Sequence, residues 1–146
     1  MNLRSASVDD VEALFDIRCS VRENHQSREE LAALGIVPAT IAEMITSGDY
    51  LTFIADEQGW PAGFAMAQIS EGYVFACFVK PEFERRGIGR ALMNGLEDGL
   101  RRAGLKEAWL LTGADQKLRA VGFYRHLGWR EGGFLDDGQI RFVKSL

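Results

Sequence analysis

The chain has 146 residues, of which 47% are hydrophobic and 26% charged, with a formal net charge of −4. That is the size of one domain, able to bury roughly two thirds of its unfolded surface, and the acidic balance excludes a general nucleic-acid binder. Two cysteines, Cys19 and Cys77, make no disulfide framework or zinc site and suit a reducing compartment. Both lie in apolar stretches and read as small core residues.

A short strand around Leu3 leads to Ser7, an N-cap with Asp10 three residues on. Val8, Val11, Leu14, Phe15 and Cys19 then recur at helical spacing. Ser27-Arg28-Glu29-Glu30 is a capping box that opens a second helix, ending at Gly35. A third helix is predicted from Ala39 to Ser47. Strands follow at Tyr50 to Asp56, Trp60 to Ile69 and Tyr73 to Val79, separated by Gly-containing turns. The last of these is the most apolar and is expected to be buried on both faces. A helix after Gly87 carries Leu92, Met93, Leu96, Leu100 and Ala103 on one side. Gly95 and Gly99 inside it each cost about 1 kcal/mol against alanine, which points to close packing on the sheet. A strand from Glu107 to Thr112, a helix from Lys117 to Leu127 and a hairpin of Trp129 to Phe134 with Ile140 to Lys144 complete the chain. Trp60, Trp109 and Trp129 fall in strands and read as core or edge aromatics. No apolar run approaches the ~18 residues of a membrane span, and Met1-Asn2-Leu3-Arg4-Ser5 has no signal-peptide pattern. The element order describes a mixed α/β sheet with a parallel portion near the glycines at 87 and 89.

The segment from Val79 to Leu92 carries the most chemistry. An apolar strand stops at Pro81. Arg85, Arg86, Gly87, Ile88, Gly89 and Arg90 then open a helix whose first turn is nearly bare of side chains. The first N–H groups of a helix lack internal partners and sit at the positive end of its dipole. Glycines allow an anion to approach them, and three arginines add charge, so a phosphate or diphosphate is the natural ligand. No Gly-Lys-Ser/Thr follows, which excludes a Walker loop. Position 92 is Leu, so the third glycine of a dinucleotide fingerprint is missing.

Val79-x-Pro81 followed by Arg86-Gly87-Ile88-Gly89-Arg90-Ala91-Leu92 resembles the acyl-CoA motif of the GNAT N-acetyltransferase superfamily. Arg119-Ala120-x-x-Phe123-Tyr124-x-x-Leu127-Gly128-Trp129 is similar to that family's second signature. The two motifs stand in the family's order, separated by a helix and a strand, and the likeness covers about residues 50 to 130.

The resemblance implies an α/β (α+β) fold with a largely antiparallel sheet of six to seven strands, one parallel splayed pair, and helices on both faces. Residues 1–146 would then be one acyl-CoA N-acyltransferase domain, cytoplasmic, using acetyl-CoA and no metal. Phe78 and Val79 would pair with pantetheine as an added strand. Arg85, Arg86, Gly87, Ile88, Gly89 and Arg90 would hold the CoA diphosphate. Glu84 stands where the family often has Gln or Arg and is expected to point away from the diphosphate. Lys117 stands where the family often has Asn, and it could approach a CoA phosphate.

Tyr124 is the catalytic candidate, placed by the resemblance to hydrogen-bond the departing thiolate. A thiol near pKa 8.5 and a tyrosine near 10 leave full proton transfer uphill by about 2 kcal/mol, so hydrogen-bond stabilisation is the expected role. A lysine-like acceptor amine is only about 0.1% neutral near pH 7.4, a handicap of about 4 kcal/mol that a general base would relieve. Candidates for that role or for acceptor contact are Glu71 and Tyr73 at the start of the central strand, and Glu23 and His25 after the first helix. Arg22 joins the latter, since Arg22 to His25 are four polar residues in a region that lines the family's acceptor site. The expected partner is a small-molecule amine, with no nucleic acid and no membrane. A homodimer is an analogy with the family. Protein N-termini or lysines are the alternative acceptors. A non-catalytic acyl-CoA-binding module is the alternative of a different class.

Overall fold

The computed structural model describes residues 1–113 and 119–146. Strand β1 (Asn2–Ser5) is followed by a 3₁₀ turn at Val8–Asp10 and by helices α1 (Val11–Arg18), α2 (Arg28–Ala33) and α3 (Pro38–Thr46). Next come β2 (Tyr50–Glu57), β3 (Trp60–Gln68), β4 (Tyr73–Val79), α4 (Ile88–Arg102), β5 (Glu107–Gly113), α5 (Arg119–His126), β6 (Arg130–Phe134) and β7 (Gln139–Ser145).

The local signals explain several of these elements. Glu30 N–H donates to Ser27 Oγ at 3.1 Å and Ser27 N–H donates to Glu30 Oε1 at 3.1 Å, a reciprocal cap that starts α2. Pro38 occupies the first turn of α3, where its missing N–H costs nothing. The turn before α1 is tied by Ser7 N–H donating to Asp10 Oδ2 at 2.8 Å. Val8 lies in that turn and is exposed, so the apolar stripe of α1 begins at Val11 instead. Trp60 sits at the β2–β3 turn and is 69% exposed, whereas Trp129 is buried.

The strands make one seven-stranded sheet in the order β1-β2-β3-β4-β5-β7-β6. Every neighbouring pair is antiparallel except β4 and β5. Helix α4 crosses one face of β1 to β4, and α5 joins it on that face beside β5. Helices α1 and α3 cover the other face over β2 to β4. This is the mixed sheet that the element order describes, with the helices on both faces that the resemblance implies. No helix among the described residues is long and apolar enough to cross a membrane.

Close approach of α4 to the sheet explains its internal glycines. A Cβ on Gly95 would stand 3.0 Å from Leu3 Cδ2, and one on Gly99 would stand 2.6 Å from Leu51 Cδ1. Side chains at these two positions would lift the helix off β1 and β2, so the helix-propensity cost is offset by packing.

Two irregularities of β4 create the site. First, Met66 pairs with Ala76 and Ala67 with Val74, which leaves Phe75 as an extra residue on β4. Such a bulge bends and twists the strand. Second, β4 and β5 are in register only at Tyr73↔Trp109, reinforced by Trp109 N–H donating to Gly72 O at 2.9 Å. Beyond that point the strands diverge. The expectation that β4 is buried on both faces is corrected: only Val74 is buried, and Phe75 to Val79 are half-buried because their neighbour on one edge has moved away.

Candidate active site

The divergence of β4 from β5 opens a cleft of about 920 Å³ that passes from the α4 face of the sheet toward the α1 face. Its walls come from β4, the β4–α4 loop, the start of α4, the end of β5, α5, the α1–α2 connection and Gln139 of β7.

One wall is bare strand edge. Lys80 N–H donates to Ala62 O of the neighbouring β3 side at 2.8 Å. Successive N–H groups of a strand point to opposite edges. The amides of Val79 and Cys77 therefore point toward β5, which has left their side. Phe78 and Val79 both line the cleft.

The β4–α4 loop forms the second wall. Arg85 and Gly87 hold positive φ values of 63° and 80°. For a non-glycine residue that conformation costs about 1–2 kcal/mol, so the loop holds Arg85 against its own preference. The first bond within α4 is Ala91 N–H to Gly87 O at 3.1 Å, which leaves the amides of Ile88, Gly89 and Arg90 at the open end of the helix dipole. A Cβ on Gly87 would meet nothing within 4 Å, while one on Gly89 would stand 3.1 Å from Phe123 Cζ. The first glycine thus leaves space in front of the amides, and the second lets α5 pack against α4. This cradle fits a diphosphate. Arg85 and Arg90 line it. Arg86 instead sits over the Phe83 ring, 5.5 Å from its centroid, and is not part of the wall.

Glu84 lines the cleft, and its Oε2 lies 2.7 Å from Arg119 Nη1, so its charge is balanced from α5. Arg119 was legible only as a motif position, and its pairing across the cleft carried no sequence signal.

Tyr124 lines the cleft from α5, half-buried among Phe123, Trp129 and Phe142 at ring-centroid distances of 5.1, 6.2 and 6.1 Å. Burial, with a smaller contribution from nearby Cys77, holds its phenol well above the ordinary tyrosine range. The group is therefore a neutral O–H donor at any working pH. Cys77, a half-buried cleft residue rather than core, has its thiol pushed up to about 12 by burial and stays protonated.

The acceptor candidates separate into two sets. Arg22 and Glu23 line the cleft beside Val21 and Asn24. Glu23 Oε2 accepts from the Arg119 amide at 3.1 Å, a link across 96 residues of sequence. His25 does not reach the cleft, and its Nδ1 lies 3.0 Å from Val21 O. Glu71 stands in the exposed turn before β4, its carbonyl accepting from Trp109 Nε1 at 3.0 Å, and contributes nothing to the wall. Tyr73 lies flat on Trp109 with centroids 4.2 Å apart, at the closed end of the splay, where burial raises its hydroxyl. Lys117 lies outside the described residues. Among the described residues no group of three or more His, Cys, Asp or Glu could hold a metal ion.

A family model described as the acetyltransferase (GNAT) family matches residues 11–129. The chain belongs to the GNAT acetyltransferase family. It is 36% identical over 84 residues to the [ribosomal protein bS18]-alanine N-acetyltransferase of Escherichia coli, the match spanning 56% of each chain. It is 30% identical over 100 residues to an uncharacterized N-acetyltransferase of Methanocaldococcus jannaschii, covering 68% of this chain and 42% of that one. The matches thus span about half the length of these curated relatives. Among solved structures, the PaiA N-acetyltransferase of Thermoplasma acidophilum in complex with coenzyme A superposes with a TM-score of 0.86 at 18% identity, over 99% of this chain and 98% of that one. The E. coli ribosomal-protein-S18-alanine enzyme gives 0.76 at 24% identity, over 99% and 92%. The fold is that of these acetyltransferases.

Proposed function

We propose that residues 1–146 act as a single acyltransferase unit that moves an acetyl group from acetyl-CoA to the primary amine of a small molecule by direct attack. One observation carries this reading. The free edge of β4, the amide cradle opening α4 and the neutral hydroxyl of Tyr124 all face a single cleft. Acetyl-CoA supplies the activated acetyl group as cosubstrate, and the complex of the Thermoplasma protein of the same fold with coenzyme A supports placing CoA here.

In this scheme the Ile88, Gly89 and Arg90 amides with Arg85 and Arg90 hold the diphosphate. The Cys77 and Val79 amides align the pantetheine arm, and that of Val79 polarises the thioester carbonyl. Tyr124 donates a hydrogen bond to the departing sulfur. Because burial raises its pKa, full proton transfer to a thiolate is even more uphill than the ~2 kcal/mol of unperturbed groups. Tyr124 therefore acts by charge stabilisation, as an oxyanion donor does. Of the carboxylates among the described cleft residues, Glu23 and Glu84 are both engaged by Arg119. The acceptor amine is then taken up as the free base rather than deprotonated by a dedicated side chain.

A second reading, acetylation of a protein N-terminus, is favoured by the 36% identity to the E. coli bS18-alanine enzyme. Thiol release from acetyl-CoA across small amines and a peptide with a free N-terminal alanine separates the two. With the preferred amine, Tyr124→Phe is expected to lower kcat about 100-fold with acetyl-CoA affinity unchanged. Unaltered turnover in that variant removes Tyr124 from the scheme. Acetyl-CoA binding with no thiol release on any amine would leave a binding module instead.

A further inference from the structure

Across the sheet face opposite α4, aromatic rings form a continuous row. Tyr50 meets Phe75 edge-on at 5.9 Å, Phe75 meets Tyr73 at 5.8 Å, and Tyr73 stacks on Trp109 at 4.2 Å with an interplanar angle of 18°. The row ends in a cation: the Arg141 guanidinium lies 4.6 Å from the centre of the Trp109 ring. Because β5 lies between β4 and β7, the indole is flanked by Tyr73 on one side and Arg141 on the other. Trp109 is itself pinned by its Nε1 bond to Glu71 O. The arginine is thus held flat against a fixed ring, a pre-organised arrangement of its planar fork.

What the fork is held for follows from its neighbours. Arg141 pairs in register with Leu111 on β5 and Gly133 on β6. Neither side chain can accept a hydrogen bond. Among the described residues no carboxylate or carbonyl bonds the guanidinium, and Arg141 is exposed. Leu111 and Gln139 both line the cleft. Gln139 and Arg141 are two apart on β7 and so share a face. Arg141 is not itself a wall residue, but its backbone lies one strand spacing (~4.8 Å) from that of Leu111 and two residues from Gln139, so it stands beside the cleft.

Two further guanidiniums belong to the cleft's surroundings. Arg22 lines it, and Arg18 lies 4.4 Å from the ring of the lining residue Phe78, its buried Nη1 without a partner among the described residues. Of the two lining carboxylates, Glu84 is paired with the Arg119 guanidinium and Glu23 accepts from the Arg119 amide.

We propose that the acceptor is an amine that also carries a carboxylate, and that Arg141, stacked on Trp109, binds that carboxylate and selects for it. This rests on the acetyl-transfer reading above and adds the substrate class. Arg141 does not touch the reacting atoms. It fixes the far end of the acceptor.

The test uses the full chain with three ω-amino acids of increasing length (β-alanine, 4-aminobutyrate and 5-aminovalerate), the carboxamide of each, and putrescine as dication. For at least one length, kcat/KM of wild type should exceed that of the matching carboxamide about tenfold or more, consistent with a charged hydrogen-bonded pair. Arg141→Gln should erase that preference through KM, leaving kcat/KM on the carboxamide and acetyl-CoA affinity unchanged. Calorimetric binding of the same ligands in the presence of CoA repeats the comparison without turnover. It therefore still reports on Arg141 if no acetyl transfer occurs, and absence of transfer alone counts only against the function proposed above. A wild type that never prefers the carboxylate, a preference for putrescine, or an Arg141→Gln variant that loses the same factor on acid and amide alike overturns the proposal.

Discussion

The two ends of the cleft are built in different ways. The proposed cofactor end is one continuous piece of chain: the Cys77 to Arg90 segment supplies the strand edge, the loop and the helix start, and the α5 residues come from elsewhere. The proposed acceptor end is assembled from the α1–α2 connection, β4, β5 and β7. Glu23 reaches Arg119 across 96 positions, and Arg141 meets Trp109 only because β7 inserts between β5 and β6. A contiguous segment can bind a group common to every reaction of the family. A surface gathered from distant strands can change one residue at a time, and substrate choice is the property that such changes alter.

The difference can be tested most severely where the two ends are joined. Lys144 of β7 bonds Glu97 of α4 at 2.8 Å and the Leu127 carbonyl at the end of α5 at 2.7 Å. Glu97 is 5% exposed, so Lys144→Met strands a buried carboxylate. We expect a loss of about 3 kcal/mol in urea unfolding, with both acetyl-CoA and acceptor binding impaired together. A variant that retains wild-type stability, or loses only one of the two ligands, would break the picture of Lys144 as the tie between the two ends.

A smaller effect sharpens the acceptor side. With no uncommitted carboxylate or imidazole among the described cleft residues, only the amine's own ionisation governs its reactivity. kcat/KM for the acceptor should rise about tenfold per pH unit from pH 6.5 to 8.5 for an amine of pKa near 10. Tyr124 adds no falling limb in that window, because a raised phenol pKa keeps it protonated throughout. A plateau near pH 7 in an initial-rate profile would instead reveal a general base.

The same contrast governs what the sequence disclosed. The Ser27–Glu30 cap, the tight glycines of α4 and the strand–loop–helix at Gly87 are local patterns and were readable. The apolar run of β4 predicts a fully buried strand, because periodicity cannot show that a neighbouring strand diverges after one paired residue. Glu71 and His25 are plausible bases by residue type, yet neither side chain lines the cleft: Glu71 sits in the exposed turn before β4, and His25 follows Asn24, the last lining residue of the α1–α2 connection. Glu84 looked like a misfit beside a diphosphate, and its partner Arg119 lies 35 positions away on α5. Arg141 had no signal at all: a lone arginine in a hairpin strand acquires meaning only from the ring beneath it.

The central claim is that the open edge of β4 and the start of α4 together hold CoA. A titration of ¹⁵N-labelled protein with CoA, followed by amide resonances, tests it most directly. The amides of Cys77, Val79, Ile88, Gly89 and Arg90 should show the largest shifts, with those of β2 and α3 unmoved. Saturable CoA binding that leaves these five amides unchanged would contradict the account.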